Sequence, residues 1–503
     1  MRARCGLPAH VRLARFIGNQ PDSRRYTRSV IGRKGRLPGD RRVRVERVKP
    51  LDYVITPPRR IRRPRSPWTV LIGTFAALTV AGTILLALPF STTTGQATPL
   101  LEALFMATSA VSTTGLVLYD TAEHWSPFGE FVILVLIQLG GFAFMTGSTL
   151  FLLALVGGRT SLSDRLRVQA AGGLTDLGSV TMVVRRVLIF TVFCEVVGAI
   201  VLIIVFLVRG EHPATATWWG VFHSVSAFNN GGVDLFGGFR GLTHLADAPA
   251  VLMPIGTLML IGGLGFAIVG DIVLKRRWIR FALETKLVVA VSMVLLLGGA
   301  LATAAFEWTN PATLGRLDLP DRVLNAVFHS ISLRSGGMDA IGVSGLVDES
   351  LVLGMVLMFV GGASGSTAGG IKVNTLAVLL VATLAAMRGD PSAAAYGRRI
   401  PHQVVYRSIA VLLVAIAGAF GLAVAIQLTG TYDFLAASFE SVSALGTAGM
   451  STGLTLALGP DTQLLLVAAM FIGRLGPLTL VLAIAARSRP VAHRPAVESV
   501  RIG

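Results

Sequence analysis

The sequence predicts an all-α polytopic membrane protein with eight transmembrane helices and four re-entrant pore helices, a fourfold pseudo-repeat of span, pore helix, loop and span. Three observations predict it. Hydrophobic residues make up 53% of the 503 and charged residues only 14%, where a soluble domain carries about a quarter charged. Apolar runs long enough to cross roughly 30 Å of hydrocarbon recur along the chain. Between pairs of these runs a short motif returns four times. The same composition excludes bulk disorder and a disulfide scaffold. Of the two cysteines, Cys5 and Cys194, the second lies in an apolar run and reads as a buried free thiol.

The net charge of +18 belongs to a tail. Residues 1–66 hold 20 basic against 4 acidic residues, while the rest of the chain is nearly balanced. No apolar stretch of signal-peptide length interrupts these arginines. The Pro/Arg-rich composition predicts a largely disordered cytoplasmic arm, either facing anionic headgroups beside the first span or idle. Apolar runs then follow at 67–90, 131–158, 187–208, 249–270, 287–306, 351–387, 408–432 and 462–486. Eight spans put both termini on one side.

The connections orient them. Arg159, Arg165, Arg167, Arg185 and Arg186 fall on the tail's side, as do Lys275 to Lys286, Arg388 to Arg407, and Arg487 to Arg494. By the positive-inside rule that side is the cytoplasm, which predicts a multi-pass protein of the cell membrane with both termini inside. The outward connections contain apolar stretches near 98–111, 216–228, 322–333 and 434–445, too short to span and suited to re-entrant helices.

Each stretch carries the repeat. A Phe, a Ser four residues on and a closing Gly recur as Phe105, Ser109 and Gly115; Phe222, Ser226 and Gly232; Phe328, Ser332 and Gly337; and Phe439, Ser443 and Gly449. The expected organisation is a tail at 1–66, pore repeats at 67–158, 159–274, 275–388 and 389–487, and a cytoplasmic C-terminal tail at 488–503. Non-helical backbone at membrane depth must be buried or line an aqueous cavity. Four loops on one axis would surround it with carbonyls, which can replace the hydration shell of a monovalent cation. Gly140, Gly141, Gly262, Gly263 and Gly265 read instead as close helix packing.

With two further motifs, Gly361-Gly-Ala-Ser-Gly-Ser-Thr-Ala-Gly-Gly-Ile-Lys372 and Phe471-Ile-Gly-Arg474-Leu-Gly-Pro477, the chain resembles the Ktr/Trk superfamily of potassium transporters, over about 67–487 and closest to the Ktr branch. That resemblance implies a potassium filter of Ser112, Thr113, Thr114 and Gly115; Asn229, Asn230, Gly231 and Gly232; Arg334, Ser335, Gly336 and Gly337; and Gly446, Thr447, Ala448 and Gly449. Gly231 and Gly336 stand where the family often has Ala, an expectation of looser loops.

The interruption at 361–370 would not persist as an ordinary helix, since each interior Gly costs roughly 1 kcal/mol against Ala. The resemblance makes it an intramembrane gate, with Gly361, Gly362, Gly365, Gly369, Gly370, Lys372 and Arg474 as gate residues. Arg474, a lone arginine inside an apolar span, would oppose cations beneath the filter. Lys372 could act likewise or snorkel to the cytoplasm. Glu195 reads as a hydrogen-bonding partner, with coupling-ion binding as the alternative. His223 and His329 read as capping or packing residues. No phosphate loop, zinc signature or catalytic carboxylate pair is present, so an enzyme is not expected. The resemblance further implies K+ as transported ion, Na+ as a possible coupling or activating ion, no tightly bound cofactor, a homodimer in membrane lipid, and a separate cytosolic ring of nucleotide-binding regulatory subunits; no nucleic-acid partner is expected. The competing classes are a sodium-coupled solute symporter and a polytopic membrane enzyme.

Overall fold

The structure, a computed structural model, describes residues 67–157 and 177–476. The expected basic arm, the C-terminal tail and Arg159, Arg165, Arg167 and Pro477 lie outside the described residues. The described residues fall within one compact unit, Arg65–Gly503.

In chain order the helices are α1 (Pro67–Leu86), α2 (Leu100–Val111), the single turn α3 (Thr121–His124), α4 (Pro127–Gly157), α5 (Leu177–Val208), α6 (Pro213–Phe228) and α7 (Pro249–Lys275). There follow α8 (Leu283–Glu307), α9 (Leu319–Leu333), α10 (Asp348–Phe359), α11 (Val373–Met387), α12 (His402–Thr429), α13 (Phe434–Gly446) and α14 (Pro460–Leu475). A two-residue hairpin, β1 (Ala394–Ala395) with β2 (Arg398–Arg399), joins α11 to α12. Among the described residues five helices are long and apolar enough to cross a membrane, within α4, α5, α7, α8 and α12. The apolar run at 351–387 is broken as its glycines require: α10 stops at Phe359 and α11 starts at Val373.

Helix starts follow local chemistry. Pro at the first helical position needs no donor there, and it opens α6, α7 and α14. Asp433 caps α13 by accepting from the Ala436 amide, satisfying one orphan donor of the first turn.

Packing places the four short helices α2, α6, α9 and α13 at the centre. Each packs between the helices that precede and follow it: α1 and α4, α5 and α7, α8 and α10, α12 and α14. Contacts of α4 with α6, α7 with α9, α10 with α13, and α14 with α2 then close the four groups into a ring. The outward side chains of this ring are large and apolar, among them Phe193, Leu301 and Phe420, each more than half exposed. Such a surface needs hydrocarbon rather than water. The molecule is a multi-pass helical membrane protein.

Candidate functional site

The short helices end where the repeat's Ser stands, and that Ser builds the turn. Its carbonyl accepts from the amide five residues on in each case: Thr114 to Ser109, Gly231 to Ser226, Gly337 to Ser332 and Ala448 to Ser443. In three copies its hydroxyl also ties the far side of the loop. Gly115 N donates to Ser109 Oγ at 3.1 Å, while Ser226 and Ser332 donate to the Val233 and Met338 carbonyls at 2.7 Å.

The backbone that follows is left-handed in register. Thr113, Asn230, Ser335 and Thr447 have φ of 50°, 54°, 84° and 46°, and the closing glycines Gly115, Gly232, Gly337 and Gly449 have 92°, 69°, 74° and 85°. A non-glycine residue in this region is strained and persists only where its surroundings hold it. Four equivalent strained positions mark one built site.

The four loops meet. A Cβ on Gly115 would stand 2.8 Å from Gly232 Cα; one on Gly232 would stand 3.1 Å from Gly337 Cα; one on Gly337 would stand 2.7 Å from the Ala448 carbonyl oxygen; one on Gly449 would run into the Thr114 carbonyl oxygen. The glycines therefore form a closed circuit with room for no side chain. The residues beside them are buried, with Arg334, Gly337 and Gly449 half-buried. At Gly336 an added Cβ would come within 2.7 Å of Met259 Sδ, and at Gly231 within 2.9 Å of Ile137 Cγ2. Those two loops are filled by neighbours rather than loosened by the missing methyl group.

Buried side chains brace the loops from behind. Glu195 on α5 accepts from Asn229 Nδ2 at 2.9 Å and from Gln138 Nε2 at 3.1 Å. The residue after the repeat's Phe repeats a role that the sequence alone hides. His223 Nε2 accepts from the Leu235 amide, and Glu440 Oε1 from the Thr452 amide, each twelve residues on. His329, the third copy, leaves Nδ1 without a protein partner; Asp339 accepts from the Ile341, Gly342 and Val343 amides there instead. An unlike pair in equivalent positions, His and Glu, conceals a shared function.

On one side the glycines open into a cavity of about 310 Å³ lined also by Asp120, Asp234 and Asp339. The segment 361–370 meets the loops at Asn230, Ser335 and Thr447 and is not among the residues lining that cavity. Its ends are pinched by a parallel bridge between Val360 and Ile371. It seats against α7, whose kink at Gly265, with φ 75°, accompanies bonds from Thr367 N and Ala363 N to the Gly262 and Gly263 carbonyls. The packing expected of the α7 glycines holds at Gly262 and Gly265, where an added Cβ would meet the Phe228 and Gly365 carbonyls, but not at Gly263, where a Cβ would meet nothing. At Gly265 the neighbour is the glycine segment.

Arg474 is fully buried; its Nη1 donates to the Thr367 carbonyl at 2.5 Å, and its guanidinium lies 4.5 Å from the centroid of the Phe144 ring. Lys372 Nζ lies 4.7 Å from the same ring and donates to the Ala368 carbonyl at 2.5 Å. Lys372 thus turns back onto the segment. Among the described residues the ion pair is Lys275–Asp271, so neither cation is neutralised by a carboxylate there.

A ring of four helix–loop units whose loops meet, enclosed by an apolar helical shell, defines a multi-pass helical membrane protein. The chain belongs to the TrkH family of cation transport proteins, whose family model matches residues 57–490. It is 34% identical to the potassium/sodium uptake protein NtpJ of Enterococcus hirae, over 88% of this chain and 99% of that one. It is also 34% identical to the Ktr system potassium uptake protein B of Bacillus subtilis, over 83% and 93%. Its fold superposes on the potassium transporter TrkH of Vibrio parahaemolyticus with TM-score 0.66, covering 85% of this chain and 86% of that chain at 18% identity.

Proposed function

We propose that this chain carries potassium into the cell through the meeting point of the four loops. The observation that carries this reading is the ring of left-handed loop residues and mutually touching glycines, repeated in four equivalent stretches of backbone whose carbonyls would line a common axis. Carbonyl oxygens in such number replace the hydration shell of a dehydrated monovalent cation. The relatives named for potassium uptake, at 31–34% identity over most of both chains, support the choice of ion. In this reading the chain crosses the membrane eight times with both termini in the cytoplasm, α2, α6, α9 and α13 are re-entrant pore helices, and each lies in one repeat.

The segment 361–370 is the gate, lying across the passage beneath the loops, and Arg474 with Lys372 forms an electrostatic barrier there. Two cations without a carboxylate partner repel an approaching ion, and a low-dielectric site screens them poorly. A homodimer and a separate cytosolic nucleotide-binding subunit would regulate the gate. Sodium, named with potassium for NtpJ, is the second ion to test. The deciding experiment is uptake of radioactive rubidium by potassium-uptake-deficient bacterial cells expressing the chain. Accumulation that unlabelled potassium competes and sodium competes weakly supports the reading; no accumulation despite membrane insertion refutes it.

A further inference from the structure

We propose that the glycine segment is itself part of the ion-selecting machinery, joined to three of the four loops by the hydroxyls of Thr367 and Ser335. This rests on the reading of the loops as filter and the segment as gate.

The bonds are specific. Thr367 Oγ1 donates to the Phe228 carbonyl at 3.0 Å and accepts from Asn230 Nδ2 at 2.8 Å, so one hydroxyl holds the end of α6 and the strained residue of the second loop. Ser335 Oγ accepts from Gly369 N at 3.1 Å and donates to the Thr447 carbonyl at 2.9 Å. That hydroxyl links the segment to the strained residues of the third and fourth loops. Arg334 Nη2 donates to the Gly361 carbonyl at 3.2 Å, tying the third loop to the segment's start as well. At Gly369 an added Cβ would collide with Thr447 Oγ1, so the segment presses directly on the fourth loop. Of these groups Asn230, Ser335, Thr367 and Thr447 are all buried.

Three of the four strained residues thus owe a bond or a close contact to the segment. Withdrawing it would leave Asn230 Nδ2 without its shortest bond and Ser335 Oγ without the donor from Gly369, in a site where an unmade bond costs more than a made one contributes. The loops would then relax from the geometry that the closed segment enforces. Coupling of this kind is reciprocal: whatever ion best fits the held loops also favours the segment's closed position, to the same degree. The first loop has no bond to the segment, which makes Thr113 the natural internal control.

The test uses the full-length chain in potassium-uptake-deficient cells, with rubidium influx per folded molecule and its inhibition by sodium measured together. Thr367→Val keeps the shape and removes the hydroxyl. It is expected to shift the potassium-to-sodium preference about fivefold, the change that one lost hydrogen bond produces. Ser335→Ala should shift it similarly, and Thr367→Ser, which restores a hydroxyl, should recover it. Deletion of Ala363–Gly369 should show the same shift. A preference unchanged in Thr367→Val, in Ser335→Ala and in the deletion overturns the coupling. Influx in the deletion judges the gate separately: raised influx with unchanged preference leaves the gate standing and the coupling refuted. If Thr367→Val fails to reach the membrane, the preference of Ser335→Ala decides.

Discussion

Arg474 touches a carbonyl and an aromatic face where a structural arginine would touch a carboxylate. Its Nε and Nη2 have no protein partner among the described residues. Replacing it with Gln keeps a donor for Thr367 and deletes the charge, so rubidium influx per folded molecule should rise roughly tenfold. Unchanged influx per molecule with reduced membrane abundance would assign the residue to folding instead. At Gly449, φ is 85° and an added Cβ would strike the Thr114 carbonyl, so Gly449→Ser should lose potassium preference at a conformational cost of roughly 1–3 kcal/mol. A variant with the parent's sodium inhibition would remove that glycine from ion selection. In the cavity beside the glycines, burial and the neighbouring Asp120 and Asp339 carboxylates push Asp234 up to about 6, against a single bond from the Phe236 amide. Protonation on acidification through about 6 removes a negative charge from the mouth. Influx should therefore fall as external pH drops through that range, and Asp234→Asn should flatten the profile.

At the scale of elements, the glycine segment and α7 form one device. The broken α10–α11 pair, visible in the sequence as a glycine-rich interruption, has a partner that was not visible, the kinked wall of α7 at Gly262–Gly265. Deleting Ala363–Gly369 should raise influx severalfold while leaving α10 and α11 apolar enough to remain inserted; influx measured with and without the deletion, normalised to folded protein, tests the obstruction. Gly140 and Gly473 seat the ends of α2 and α13, where a Cβ would collide with the Val111 and Leu445 carbonyls. At Gly140 this packing was legible, because small residues in apolar spans have few other uses, whereas Gly473 carried no such reading. The bracing by His223 and Glu440 was not, since two chemically different side chains meet equivalent amides twelve residues on.

For the whole molecule, contact of α14 with α2 closes four helix–loop units into one ring within a single chain. Passage of a monovalent cation through a ring of backbone carbonyls should follow the membrane potential. Rubidium uptake into proteoliposomes of the purified chain, under an interior-negative potential and without nucleoside triphosphate, should proceed; a strict need for triphosphate hydrolysis would contradict this. Because the four groups share one ring, substitutions in one loop should alter ion preference without abolishing membrane insertion, which surface labelling of each variant would show.

Periodicity and composition alone determined the helical membrane class, the four Phe–Ser–Gly stretches and the break at 361–370, because apolar length and glycine content act on local backbone directly. The strained residues Thr113, Asn230, Ser335 and Thr447 share a position but no chemistry that a sequence pattern could single out. Phe144 looked like any apolar residue of a span until Arg474 and Lys372 were found on its ring. Which loops Thr367 and Ser335 join was likewise decided only in three dimensions. Local sequence dictates where backbone must break and what must leave water. Which distant carbonyl or ring receives a given side chain depends on how the ring of helices closes.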